Sequence, residues 1–242
     1  MISPLAVKSV PLYLVHLKNQ SIYQQLQLEE ALLRADDRNW CVINMGSPSA
    51  IVMGISGKPE LLLNEQILAE QPVPVIRRFS GGGTVFIDPN TFFISWICNT
   101  AHSGVECCPA RLHEWTAAIY QTMFPSLGMK LVENDYVIGE RKFGGNAQYL
   151  CKARWLHHSS LLWDYHSDNM RYLKMPAKIP KYRNSRSHDE FLCRLCDHFE
   201  SLEQWNKQLL EGIYCRFNVK IATEEMVEEV LHRPHRKGLT KN

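Results

Sequence analysis

The sequence predicts an α+β domain, a largely antiparallel sheet with helices packed on it, and three features carry that expectation. Short runs rich in Val, Ile, Phe and Trp recur from Val10 to Ile97 with turn residues between them. Three more such runs follow one another from Met129 to Tyr165 with only short joints, as a meander does. Helical patterns open at Ser21, Pro109, Ser201 and Thr223, residue types that start helices.

In chain order, VPLYLVHL is the first strand, and Ser21 caps the helix IYQQLQLEEALLRAD. NWCVINMG and SAIVMGIS are two short strands joined by a Gly-Ser-Pro turn. Pro59 opens a helix through ELLLNEQILAE, and PVPVIRRF is a strand that the glycine run ends. TVFID and TFFISWIC flank an Asp-Pro-Asn turn, so Gly81, Gly82 and Gly83 lie between strands and do not open a helix. After the helix ARLHEWTAAIYQTMF, the meander MKLVENDYVIG, RKFGGNAQYLCKA, RWLHHSSLLWDY turns at Gly139-Glu140 and Lys152-Ala153. MPAKIPKYRNSR reads as a basic loop, and DEFLCRLCDHF and LEQWNKQLLEGIYCRF read as helices. The strand NVKIA, the helix EEMVEEVLHR and the tail PHRKGLTKN follow.

A chain of 242 residues buries about 70–75% of its unfolded surface and needs no disulfide or metal to hold together. The eight cysteines sit inside apolar segments or side by side, which fits a reducing compartment better than a secreted framework. A net charge of +2 gives nucleic-acid binding no support. No run of about 20 apolar residues predicts a membrane span. The first residues read better as a strand than as a signal or transit peptide, which leaves cytoplasm and mitochondrion both open.

Residues 77–88, RRFSGGGTVFID, lack the lysine and Ser/Thr of a phosphate-binding loop and the G-x-G-x-x-G spacing of a dinucleotide fold. What remains is a bare strand-end loop beside Arg77 and Arg78, suited to a phosphate or carboxylate; the plain alternative is a tight bend under a neighbouring backbone. Lys142, ahead of a second glycine pair, is either a point charge in a cleft or a solvated lysine beside a turn. Of His157 and His158, adjacent in a strand, at most one faces any cleft. Cys193-x-x-Cys196 falls in a helical pattern and reads as two small apolar residues, not as a zinc site. Cys151 is the alternative nucleophile, with no base placed beside it by spacing.

Three blocks together resemble the lipoate–protein ligase A family of the biotin/lipoate ligase superfamily. RRFSGGGTVFID resembles its R-R-x-S-G-G-G-x-V-x-x-D signature, RKFGGNAQ its lysine block, and HHSSLL its H-H-G-T-L-L block. They occur in the family's order over roughly residues 25–190, with Lys142 sixteen residues before His158. The wording is most similar to the short eukaryotic, plant-type lipoate ligase-like proteins. The resemblance implies the class II aminoacyl-tRNA synthetase/biotin ligase-like fold and a two-step reaction. Lipoate (or octanoate) and ATP, with Mg2+, give acyl-AMP, and a lysine of a lipoyl domain then takes the acyl group. The acceptors it implies are the E2 subunits of 2-oxoacid dehydrogenases and the glycine cleavage H protein.

Carried over residue by residue, the resemblance makes Lys142 the catalytic charge. It assigns Arg77, Arg78, Ser80, Gly81, Gly82, Gly83, Thr84, Asp88, Asn134, Asp135, Gly145, Ala147 and His158 to acyl-adenylate and ATP binding. Ile87 stands where the family often has histidine, and His158-Ser159 replaces His-Gly. The expected layout is one catalytic domain over 1–232, with a short extension at 200–232 in place of a full accessory domain, and a basic tail at 233–242. A monomer is expected, with a partner subunit for adenylation left open. Octanoyl transfer from a carrier protein through Cys151, and acyl-AMP or lipoyl-domain binding without turnover, are the alternatives. Lys174, Lys178, Lys181, Arg183 and Arg186 would either steer an acidic lipoyl domain or form a solvated loop.

Overall fold

A computed structural model describes residues 10–175 and 179–241. β1 (Pro11–Lys18) leads into α1 (Ile22–Ala35), then β2 (Asn39–Met45), β3 (Ala50–Met53), α2 (Pro59–Leu62) and α3 (Glu65–Glu70). β4 (Val75–Arg77), β5 (Val85–Ile87) and β6 (Thr91–Asn99) bracket and follow the glycine run. α4 (Thr100–Ser103) and α5 (Pro109–Met123) precede the meander β7 (Lys130–Val132), β8 (Asp135–Ile138), β9 (Arg141–Leu150) and β10 (Arg154–Leu162). α6 (His188–Phe191), α7 (Leu202–Arg216), β11 (Asn218–Ile221), α8 (Glu224–His232) and β12 (Thr240–Lys241) complete the chain. Among the described residues no helix is long and apolar enough to cross a membrane.

The strands form two sheets, not one. Eight strands run in the order β11-β1-β2-β6-β10-β9-β8-β7, and four in the order β12-β4-β3-β5. Pairing is mainly antiparallel; β11-β1-β2 and β3-β4 are the parallel stretches. The Gly-Ser-Pro turn after β2 therefore carries the chain from the large sheet to the small one.

Each face of the large sheet has its own cover. On one, α5 and α7 close a core that holds Trp96, Trp115, Trp155 and Trp205. On the other, α1 packs with Val15, Trp40, Val42 and Leu156, and α8 adds Val230. With about 200 Å² removed from water at roughly 25 cal/mol per Å², each fully buried tryptophan stabilises the fold by about 5 kcal/mol. Arg154, itself 5% exposed, ties β10 to α1. Its guanidinium donates to Leu32 O and Leu33 O at the C-terminal end of α1 and to Arg38 O just before β2.

Local chemistry explains the helix starts. The Ser21, Ser201 and Thr223 side chains each accept an N–H of the first turn, and Pro109 opens α5. Three expectations are corrected. The helix predicted over 60–70 is two short helices, because Leu63 is extended and Asn64 caps α3 afresh. DEFLCRLCDHF is helical only as α6 and a 3-10 turn at Leu195–His198; Leu192 leaves the helix to bridge Lys142, and Cys193 N donates to Lys142 O. Residues 233–241 are not a free basic tail: Thr240 and Lys241 pair with Arg77 and Ile76.

Candidate active site

The site is built on β9 and β10. Ala147 lies opposite His158, and Gly145 opposite Ser160, so these residues share the α1 face of the sheet. Strict alternation would turn Lys142, five residues from Ala147, to the other face. It does not, because the β8–β9 register shifts: Tyr136 pairs with Gly144 and Val137 with Lys142, leaving Phe143 as an extra residue. Phe143 enters the α5-side core beside Tyr136, with ring centroids 6.2 Å apart. Lys142 thereby joins Gly145, whose missing Cβ leaves room for the Lys142 Nζ, 3.2 Å from where that carbon would stand. Nζ pairs with Asp135 Oδ1 at 2.8 Å, and Tyr182 OH donates to Asp135 Oδ2 at 2.9 Å. Burial and the Asp135 charge hold the Tyr182 phenol well above its ordinary range.

The glycine loop lies over the middle of β9. Gly81 N donates to Gln148 O, and a Cβ on Gly82 would stand 3.6 Å from the Ala147 Cβ. Gly82 has φ +110°, which only glycine adopts without strain, and a Cβ on Gly54 would overlap its carbonyl oxygen. The arginines do not flank an open nest as expected. Arg78, 5% exposed, donates Nε and Nη2 to Gly81 O at 3.2 and 3.0 Å and Nη2 to Gly83 O at 2.8 Å. Burial lowers its pKa to about 10, against the opposing effect of Glu29. Arg77 reaches the other way, to Gly57 O. By taking the carbonyls, Arg78 pins the loop from its buried side, while Gly82 and Gly83 stay exposed. Among the described residues no acceptor is found for the N–H of Gly82 or Gly83, nor any partner for the buried hydroxyls of Ser80 and Thr84. Free N–H groups with orphaned hydroxyls suit an anion.

His158 is held by a buried carboxylate that the sequence reading did not single out. Glu29, wholly buried, accepts from His158 Nδ1 at 2.9 Å, Ser95 Oγ at 2.6 Å and Gln25 Nε2 at 2.7 Å. Among the described residues nothing bonds His158 Nε2. Glu29 does carry a signal in sequence: it falls on the inward stripe of α1 with Ile22, Leu26 and Leu33. Tyr182 carries none, since it reaches Asp135 through a loop.

Other assigned residues lie elsewhere. Asp88 serves its own turn, accepting from Asn90 N and Thr91 Oγ1 and taking Asn169 Nδ2. Asn134 is exposed in the β7–β8 turn; its carbonyl accepts from Asn146 Nδ2, and Asn146 Oδ1 pairs with His113 Nε2. Cys151 sits in the β9–β10 turn with its thiol on Arg154 O, about 30 Å along the strand from Lys142 at roughly 3.3 Å per residue. Of the basic loop, Arg183 and Arg186 bond each other's carbonyls and Lys174 donates to Glu60 O, while Lys181 is exposed; Lys178 lies outside the described residues.

The model of the lipoyl protein ligase A/B catalytic domain matches residues 21–213. Among similar proteins are the Plasmodium falciparum inactive lipoate–protein ligase 2 and a Bacillus subtilis lipoate-protein ligase. The first is 26% identical over 88% of this chain and 72% of that protein. The second is 24% identical over 83% of this chain and 62% of that protein. The chain spans about three fifths of the length of the Bacillus subtilis ligase and of a Mycoplasma genitalium relative. Two solved structures share the fold. One is a lipoate-protein ligase A bound with ATP (TM-score 0.72, 17% identity, 92% of each chain). The other is the bipartite ligase of Thermoplasma acidophilum with its E2 lipoyl domain (TM-score 0.73, 18% identity, 93% of this chain and 91% of that one).

Proposed function

The chain belongs to the lipoyl protein ligase A/B catalytic-domain family, and we propose that it joins lipoate or octanoate to a lysine of a lipoyl domain by way of acyl-AMP. The observation that carries this reading is the convergence of Lys142, Gly145, Ala147 and His158 on one sheet face beneath a glycine loop with free N–H groups. In this reading the loop takes the phosphate that links acyl group and AMP. Lys142 lies between acyl carbonyl and phosphate, where its charge stabilises the pentacoordinate phosphate as the carboxylate displaces pyrophosphate, and then the carbonyl oxyanion as the acceptor lysine displaces AMP. Asp135 and Tyr182 hold the ammonium in place. The acyl chain runs toward His158, whose orientation Glu29 sets.

ATP as co-substrate is supported by the ATP-bound ligase of the same fold, and a lipoyl-domain acceptor by the archaeal ligase that has an E2 lipoyl domain of its own. The orphaned Ser80 and Thr84 hydroxyls fit a phosphate. Among the described residues no cluster of three His, Cys, Asp or Glu side chains stands ready for a metal ion. Magnesium, which is commonly held by one or two carboxylates plus substrate phosphates, would come with the nucleotide.

Incubating the protein with ATP, lipoate and an acceptor lipoyl domain and weighing the intact acceptor tests the reading. The acyl mass should appear with wild type only when ATP is present, and be lost in Lys142→Ala; equal product from both sinks the role of Lys142. A second reading has its own support. One similar protein is an inactive ligase, and Lys142 is already paired with Asp135. It predicts binding of acyl-AMP by calorimetry with no product at any ATP concentration. Thioester transfer through Cys151 finds no support in its distance from Lys142.

A further inference from the structure

The segment after α8 returns to α1 and the glycine-loop sheet. Arg233 Nη1 donates to Ala35 O and Asp36 Oδ2, each at 3.0 Å. The N–H of Gly238 then points at both oxygens of Glu30, at 2.8 and 3.0 Å, and the N–H of Leu239 at one, at 3.2 Å. Glu30 is 2% exposed, and its other partner is Arg34 Nε at 2.9 Å. A carboxylate so buried is stable only while such donors are in place. Beyond Leu239, β12 closes on Arg77 and Ile76 of β4. Gly238 itself lies on Phe79, the residue between Arg78 and Ser80; a Cβ there would stand 3.1 Å from the Phe79 Cβ and 3.2 Å from Glu30 Oε1.

β4 is only three residues long and leads, through Arg78, Phe79 and Ser80, into the glycine run, whose residues have most backbone freedom to lose. β3 holds it on one side; without β12 its other side would be an open edge. We propose that Glu30 is a positioning residue for the glycine loop, acting through residues 238–241, which clamp β4 and Phe79 from the side opposite β3. Nothing in this arrangement touches substrate. Its effect is on the population of loop conformations able to take an anion, and this functional consequence rests on the acyl-adenylate reading.

The test uses the full chain beside Glu30→Gln, Gly238→Val and a deletion of residues 238–242. Hydrogen exchange is followed by mass spectrometry over residues 76–84, with α7 as the internal reference. Local release of the clamp should speed exchange across 79–84 by about tenfold or more in all three variants, with α7 unchanged. In the acyl-transfer assay, KM for ATP or lipoate should rise about tenfold while kcat stays within about twofold, the mark of lost binding competence without lost chemistry. Unchanged loop exchange in Gly238→Val and the deletion overturns the proposal. So does a matching loss of α7 protection, which would make the segment a general stabiliser. The exchange result stands even if no variant makes product, so failure of the proposed activity and failure of the clamp read out separately.

Discussion

His157 and His158 are neighbours in β10, yet they sit in opposite kinds of surroundings. On the α5 face, His157 Nε2 pairs with Tyr136 OH at 2.9 Å and Thr116 Oγ1 at 3.2 Å, and Nδ1 with Gln148 Nε2 at 2.9 Å. Both ring nitrogens are satisfied, and burial with two neighbouring histidines drives the ring well below its ordinary pKa. On the α1 face, His158 has one nitrogen on Glu29 and none of the described residues on the other. A closed polar network rigidifies; His158, backed by a buried carboxylate, keeps one ring nitrogen without a partner among the described residues, as the proposed ligand site needs. In the proposed reading, the two faces of one sheet divide scaffold from site.

The largest test of that division is Lys142→Ala, which should lower the rate of acyl transfer by at least about 10²-fold, read from the intact mass of the acceptor. Gly54→Val comes next. Its side chain would strike the Gly82 carbonyl, costing about 1–3 kcal/mol in urea unfolding and displacing the loop, with acyl-AMP affinity in calorimetry falling alongside. Tyr136→Phe probes the scaffold face. Loss of its hydroxyl, whose pKa burial pushes up to about 12, should cost about 1–2 kcal/mol of stability and leave kcat/KM within about twofold. If activity collapses there while stability holds, the division of faces is wrong.

The acid limb of stability is a smaller effect of the same network. The folded pKa of His157 lies below its ordinary 6.5, so as pH falls through 6.5 the unfolded chain binds a proton that the folded ring refuses. Stability present above pH 6.5 is then lost, by at most about 1.4 kcal/mol per pH unit for one such group. The thermal midpoint should fall between pH 6.5 and 5, and His157→Gln should flatten the fall. Cys151→Ser should change transfer by less than about twofold, since an exposed thiol in a turn has no part in an adenylate route. A large loss would reopen the thioester alternative.

Much of this was legible in sequence because it is local. Caps at Ser21, Ser201 and Thr223, the meander and the alternation that separates His157 from His158 all follow from spacing of 2 or 3.6 residues. What was misread depends on distant contacts. ELLLNEQILAE has an unbroken helical pattern, but Leu63 is drawn out to bridge Leu173. PHRKGLTKN reads only as a basic tail, and its anchor is the carboxylate of Glu30, more than 200 residues earlier. Arg77 and Arg78 looked like anion ligands because charge is visible in a sequence and direction is not.

By itself, then, the sequence determined the set of blocks, their order and the family they belong to, because residue types at short spacing carry that information. Only the tertiary structure decided which of those residues meet. Lys142 reaches the face of Ala147 and His158 solely because β8 and β9 slip by one residue at Phe143, and the slip is held by burying that ring against Tyr136. A one-residue shift reverses the facing of every side chain before it, and its cause lies in the core contact, not in the residues it redirects.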